Sequence, residues 1–125
     1  MLINLSNHPS SSWSSEQMQT ANSNYGEVVD LQYPPINGRT TEVEIKNYAQ
    51  IYLHKIEEMH PTAVFLAGEF TFTFMLADAL ISRGFLVLAA TSKRTTQEVV
   101  QPDGTVKKVS KFNFVQFRPY ERFLQ

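Results

Sequence analysis

One hundred and twenty-five residues, 42% of them apolar and including nine Phe, five Tyr and one Trp, suffice for one ordinary domain with its own core. Eleven Lys and Arg against twelve Asp and Glu leave a formal charge of -1, which excludes duplex DNA held along a continuous basic face. The absence of cysteine excludes disulfides, thiolate zinc sites and cysteine nucleophiles, and no apolar run approaches the roughly 18 residues that span a bilayer. No basic segment leads into an apolar core at the N-terminus as in a secretory signal, so a cytoplasmic protein without a membrane partner is expected.

Leu2 to Leu5 reads as a short apolar strand that runs into the polar loop Ser6-Asn7-His8-Pro9-Ser10-Ser11-Ser12. Ser14 and Gln17 have the spacing of a capping box, which predicts a helix from near Ser15 that buries Met18, Ala21 and Tyr25 and ends near Gly26. Glu27 to Gln32 is a second strand, followed by a loop at Pro34-Pro35 and Asn37-Gly38. From Thr41, the residues Ile45, Tyr48, Ala49, Tyr52, Ile56 and Met59 recur at helical spacing until His60-Pro61 closes the helix. Thr62 to Ala67 reads as a strand buried on both faces, Thr71 to Ser82 as a helix stopped by Arg83-Gly84, and Phe85 to Ala90 as another buried strand. Thr95 to Gln101 and Thr105 to Phe117 flank Pro102-Asp103-Gly104 and predict a β-hairpin. Within it, neither alternate face of Phe112 to Phe117 is fully polar, which predicts that both faces are covered. The expected fold is α/β: one domain over residues 1–125, with a central, mostly parallel sheet flanked by helices and a C-terminal β-hairpin extension.

In open parallel α/β sheets, ligands sit outside the carboxyl ends of the strands, which selects Ser6 to Trp13, Gly68 to Phe72, and Thr91 to Arg94. Gly68 before a helix leaves backbone N–H groups facing the loops, an arrangement suited to an anion. The Glu69 carboxylate next to it can accept from a ribose hydroxyl or an adenine amine, or serve only the helix dipole. Lys93 and Arg94 at the expected strand exit can clamp phosphate oxygens beside the Thr91 and Ser92 hydroxyls; they equally suit the solvated start of a hairpin. Residues 83–125 carry eight Lys and Arg against three Asp and Glu, which favours a small anion at that end or simply solvated hairpin charges. His8 can protonate a leaving oxygen, hold a phosphate or stand exposed. Ser6, Asn7 and Ser10 to Ser12 can bind phosphate or turn the chain, and Trp13 can stack on a base or staple the following helix. His54 and Glu58 lie one helical turn apart without a third ligand, so no metal site and no cofactor is expected.

Taken together, "LINLSNHPSSSW", "LAGEFTFTFMLADALISRG", "LVLAATSKR" and "FNFVQFRPY" resemble the small single-domain CRISPR-associated proteins related to the CARF sensor domains that bind cyclic oligoadenylates, several of which are ring nucleases. The likeness extends over nearly the whole chain, through the order and spacing of short motifs. It implies a Rossmann-like homodimer around a ring of AMP units, most simply cyclic tetra-adenylate. Ligand contacts would fall on Ser6, Asn7, His8, Gly68, Glu69, Phe70, Thr71, Thr91, Ser92, Lys93 and Arg94, with Arg118 a further contact from the hairpin. Thr71 departs from the smaller residue common there, which bears on how closely a phosphate approaches the backbone. The implied activity is metal-independent attack of a ribose 2'-hydroxyl on the adjacent phosphate, switching off type III CRISPR antiviral signalling. Alignment would supply much of the acceleration, and N–H groups near Gly68 with Lys93 and Arg94 would stabilise the phosphorane. His8 would be the general acid and Glu69 the base. The rival reading is a module of the same fold that senses or sequesters the ring without cutting it; a structural partner protein without a ligand is a third.

Overall fold

Two four-residue segments that are apolar but for Asn4, Leu2–Leu5 (β1) and Ala63–Leu66 (β3), are buried throughout and pair in parallel from Leu2↔Ala63 to Leu5↔Leu66. Such doubly apolar strands are stable only with a layer on each side. In the computed structural model, which describes residues 1–124, Ser15–Tyr25 (α1) supplies one layer; Glu42–Met59 (α2) and Phe70–Ser82 (α3) supply the other. Val28–Asp30 (β2) flanks β1, and Val87–Val100 (β4) flanks β3 and pairs antiparallel with Val106–Pro119 (β5). The result is an α/β fold with a five-stranded mixed sheet in the order β2-β1-β3-β4-β5, parallel except at its last strand.

Ile3, Leu5, Val64 and Leu66 meet Ile45, Tyr52 and Ile56 of α2 and Phe72, Leu76 and Leu80 of α3 in the larger core. On the opposite face Leu2, Ala63, Phe65 and Leu88 meet Ala21, with Trp13 and Phe117 partly buried against them. Each fully buried Leu, Ile or Phe contributes roughly 1.5–3 kcal/mol by leaving water, so most of the fold's stability resides in these two seams. Of the residues expected to be buried on α1, only Ala21 is; Met18 and Tyr25 are half-exposed, because α1 lies over the sheet without a helix beside it.

The helix boundaries follow their local chemistry. Thr41 and Glu44 form a reciprocal capping box at the start of α2, and Ser14 Oγ accepts from Gln17 N at 3.2 Å at the start of α1. α3 ends in a Schellman motif, with Phe85 N donating to Leu80 O and Gly84 N to Ile81 O while Gly84 takes φ 86°.

Two expectations require correction. The strand expected to stop at Ala90 runs to Val100, so Thr91, Ser92, Lys93 and Arg94 are internal residues of a 14-residue strand whose ladder with β5 begins at Leu88↔Pro119. Antiparallel pairing with β5 satisfies the backbone groups on that side of this polar stretch, which keeps the chain in the sheet. The tail of the sheet is also not covered on both faces: Phe112 is 67% and Val115 57% exposed. Past Ala90 the ribbon has outrun both helix layers.

Candidate functional site

Strand order reverses between β1 and β3, since the chain leaves β1 for β2 on one side and returns to β3 on the other. At such a reversal the loops after the two strands diverge to opposite faces and leave a crevice. A cavity of about 870 Å³ occupies this position. Its walls are Ser6, Asn7 and His8 after β1, Ala67 and Gly68 after β3, the Ser12 to Gln17 entry into α1, and Phe112 to Phe114 of β5. That volume lies within the usual range for small-molecule sites.

The loop after β1 is held by a side chain that the apolar pattern hides. Asn4, 2% exposed in the middle of β1, donates through Nδ2 to His8 O and to Asp30 Oδ1, both at 2.9 Å. The Ser6 hydroxyl shares its one proton between Asn4 Oδ1 at 2.8 Å and His8 O at 3.0 Å, and the Asp30 carboxylate also accepts from Ser10 N and Oγ. Asn4, Ser6, Ser10 and Asp30 therefore build a turn, and the Asn7 and His8 side chains are left exposed at the cavity wall. A second concavity of about 490 Å³ opens behind the same turn, between it and Asp30 to Pro34.

Gly68 sits at φ 135°, and a Cβ there would come within 2.6 Å of Tyr33 Cζ. The Tyr33 hydroxyl accepts from Glu69 N at 2.8 Å, and burial pushes its pKa up against the lowering influence of that N–H. Thr73 Oγ1 lies beside it, buried and outside hydrogen-bond geometry with any partner among the described residues. The N–H groups expected to face an anion are occupied: Glu69 Oε1 accepts from Thr71 N at 3.0 Å and Oε2 from Phe72 N at 2.8 Å, with the Thr71 hydroxyl donating to both oxygens. These bonds, that of the hydroxyl first, hold the Glu69 pKa below its usual value. The carboxylate is the cap of α3, an anion already in place, which leaves neither an open phosphate cradle nor a free base. Phe70 points away, 88% exposed on the outer side of α3.

Register divides the basic segment. Paired side chains share a face, so those of Ser92/Phe114 and Arg94/Phe112 project to the cavity side and those of Thr91/Gln116 and Lys93/Asn113 to the other, although Asn113 still borders the cavity between the two phenylalanines. The Arg94 guanidinium lies over the Phe112 ring at 5.9 Å and donates to Ser110 Oγ at 2.9 Å, one pair beyond the cavity wall. Lys93, like Phe70, Thr71 and Arg118, does not line it. The structure thus brings Ser6, Asn7, His8, Trp13 and Gly68 around one concavity, sets Arg94 and Ser92 on its extended face, and separates Lys93 from it.

Trp13, the residue before the Ser14 cap, packs into the smaller core. Its ring meets Phe65 edge-on at 5.5 Å and Phe117 at 6.1 Å, while Phe114 meets Phe117 at 5.0 Å with the ring planes tilted by 60°. Phe65, Phe112 and Phe114 join the wall without having been singled out in the sequence. The i, i+2 spacing of Phe112 and Phe114 was the available signal, since it puts both rings on one face. His54 and Glu58 pair at 3.1 Å on the outside of α2, and among the described residues no three His, Asp or Glu converge as a metal site. Nor is any helix among them long and apolar enough to cross a membrane.

Known proteins give one point of comparison. The sequence model of the uncharacterized protein MJ1673 family matches residues 1–118. No curated protein and no solved structure matches the chain. Since the match takes in both strands of the crevice, the turn at Asn7 and His8, and the β4–β5 ribbon as far as Arg118, the chain belongs to the MJ1673 family.

Proposed function

We propose that this protein binds a cyclic oligoadenylate, cyclic tetra-adenylate first among them, in the crevice between β1 and β3, and holds it without an assembled cleavage centre. The observation that carries the reading is the coincidence of three features at one place: the reversal of strand order, a cavity of about 870 Å³, and a wall of Trp13, Phe65, Phe112 and Phe114. Aromatic faces stack on bases, the Asn7 amide and His8 imidazole offer donors to phosphate or ribose, and Arg94 at the rim adds a fixed positive charge. The parallel β2-β1-β3-β4 order with helices on both faces supports a Rossmann-like domain in this reading, and the sequence resemblance supports the ring as ligand and two copies around it. Bound messenger is withdrawn from type III CRISPR antiviral signalling in the cytoplasm.

Binding without cutting is favoured because two of the groups expected to act are withdrawn, Glu69 being spent on α3 and Lys93 facing away, which leaves Glu16 as the carboxylate at the wall with His8. Ring cleavage by the 2'-hydroxyl is the second reading, supported by the exposed His8 at the wall as general acid. One experiment separates them. The protein is incubated with cyclic tri-, tetra- and hexa-adenylate in EDTA, bound ring is measured by calorimetry, and products are weighed by mass spectrometry. Retention of intact ring, weakened about tenfold or more in Trp13→Ala and Arg94→Ala, is expected. Linear products ending in a 2',3'-cyclic phosphate that disappear in His8→Ala establish the nuclease, and failure to bind any ring removes both readings.

A further inference from the structure

From Thr91 to Val100, β4 runs on for ten residues, about 33 Å, with β5 as its one neighbour in the sheet. A two-stranded ribbon is marginal by itself in water, and this one exposes apolar side chains on both faces. The face away from the cavity carries Lys93, Lys107 and Lys111 with the part-exposed Val99 and Val109, and not one carboxylate. Residues 91–118 together hold six Lys and Arg against two Asp and Glu.

The opposite composition occurs on the α2–α3 layer, where residues 42–82 hold six Asp and Glu against two Lys. Both helices follow parallel strands, so their N-termini lie at the same carboxyl edge. That end carries Glu42, Glu44 and Glu69 and three exposed apolar residues, Val43 at 66% on α2 and Phe70 at 88% and Phe74 at 78% one turn apart on α3. On this layer Arg83 and Arg122 already pair with Glu57 and Asp78, which leaves the acidic excess at the amino ends of α2 and α3, where Glu42, Glu44 and Glu69 complement the basic ribbon in charge and the phenylalanines complement its valines.

We propose that the β4–β5 ribbon is an arm that docks, by its Lys93, Lys107 and Lys111 face, on the α2–α3 layer of a second copy of this chain. Docking there covers Phe70 and Phe74 together with Val99 and Val109, and leaves Phe112, Val100 and Val106 on the other face of the ribbon. The proposal rests on the ribbon and the helices alone; a chain that binds no nucleotide can still associate in this way.

Sedimentation equilibrium on the full chain without nucleotide is the test. Reversible dimers or larger assemblies are expected, with a dissociation constant raised about tenfold by Lys107→Glu/Lys111→Glu and also raised by Glu42→Lys. Mixing the two variants restores association, because the reversed charges again face opposite signs. Far-UV circular dichroism checks that each variant folds, and if one does not, the salt dependence of the wild type decides: association must weaken as salt screens the exposed charges. A chain monomeric at every concentration, association insensitive to salt, or a constant that neither substitution moves overturns the proposal.

Discussion

Gly68 and Tyr33 show how one residue fixes the crevice. The tyrosine hydroxyl occupies the space where a side chain on Gly68 would begin, and φ 135° is closed to other residues in any case. Gly68→Ala is therefore expected to lower stability by about 1–3 kcal/mol in urea unfolding, and to displace Tyr33 from Glu69 N. Glu69 gives a pH prediction. Its folded pKa lies below the ordinary 4.5, so the stabilisation it provides is complete above that pH and disappears as pH falls through the lowered folded value. Wild type should exceed Glu69→Gln by about 0.5–1 kcal/mol at neutral pH, the modest figure reflecting solvent screening. In denaturant titrations the two should converge as pH drops below 4.5; a gap that persists in acid would show that the cap does not depend on the charge. Gly68 and Glu69 were visible in the sequence as a turn opening a helix. Asn4 was not: one amide within Leu-Ile-Asn-Leu leaves the apolar pattern of a buried strand intact, and only a neighbouring strand ending in Asp30 reveals its purpose.

The elements were legible wherever a local stop or an apolar stripe defined them. The capping box at Thr41, the Schellman glycine at Gly84 and the turn at Pro102 to Gly104 each act through neighbours a few residues away, so sequence alone carries them. β4 was misread because its outer half is held by β5 alone: Thr91 to Arg94 have no apolar face to announce a strand, and the polar run resembles the end of one. The same absence of packing makes the arm the least protected element. In hydrogen exchange under conditions where the chain is monomeric, amides between Thr95 and Lys111 should exchange by local opening, far ahead of those in Leu2–Leu5 and Ala63–Leu66, which require global unfolding. Uniform protection of the arm and the central strands would mean that something already covers it.

At the scale of the molecule, one sheet joins two cores of unequal size. The larger, against α2 and α3, contains most of the fully buried side chains, and the smaller, against α1, gathers Trp13, Phe65 and Phe117 next to the crevice. Successive residues of β1 and β3 alternate between them, Leu2 and Phe65 to one side, Ile3 and Val64 to the other, so neither layer can be lost without exposing strands that serve both. Trp13, the sole tryptophan, reports on the smaller core, whereas far-UV circular dichroism is dominated by α2 and α3. For a unit of this size, coupled through shared strands, the two signals should trace one urea transition with the same midpoint and slope. Loss of Trp13 emission at lower urea, with helix content intact, would instead show the crevice face opening independently, in which case ligand binding would have to order that face as well as fill it.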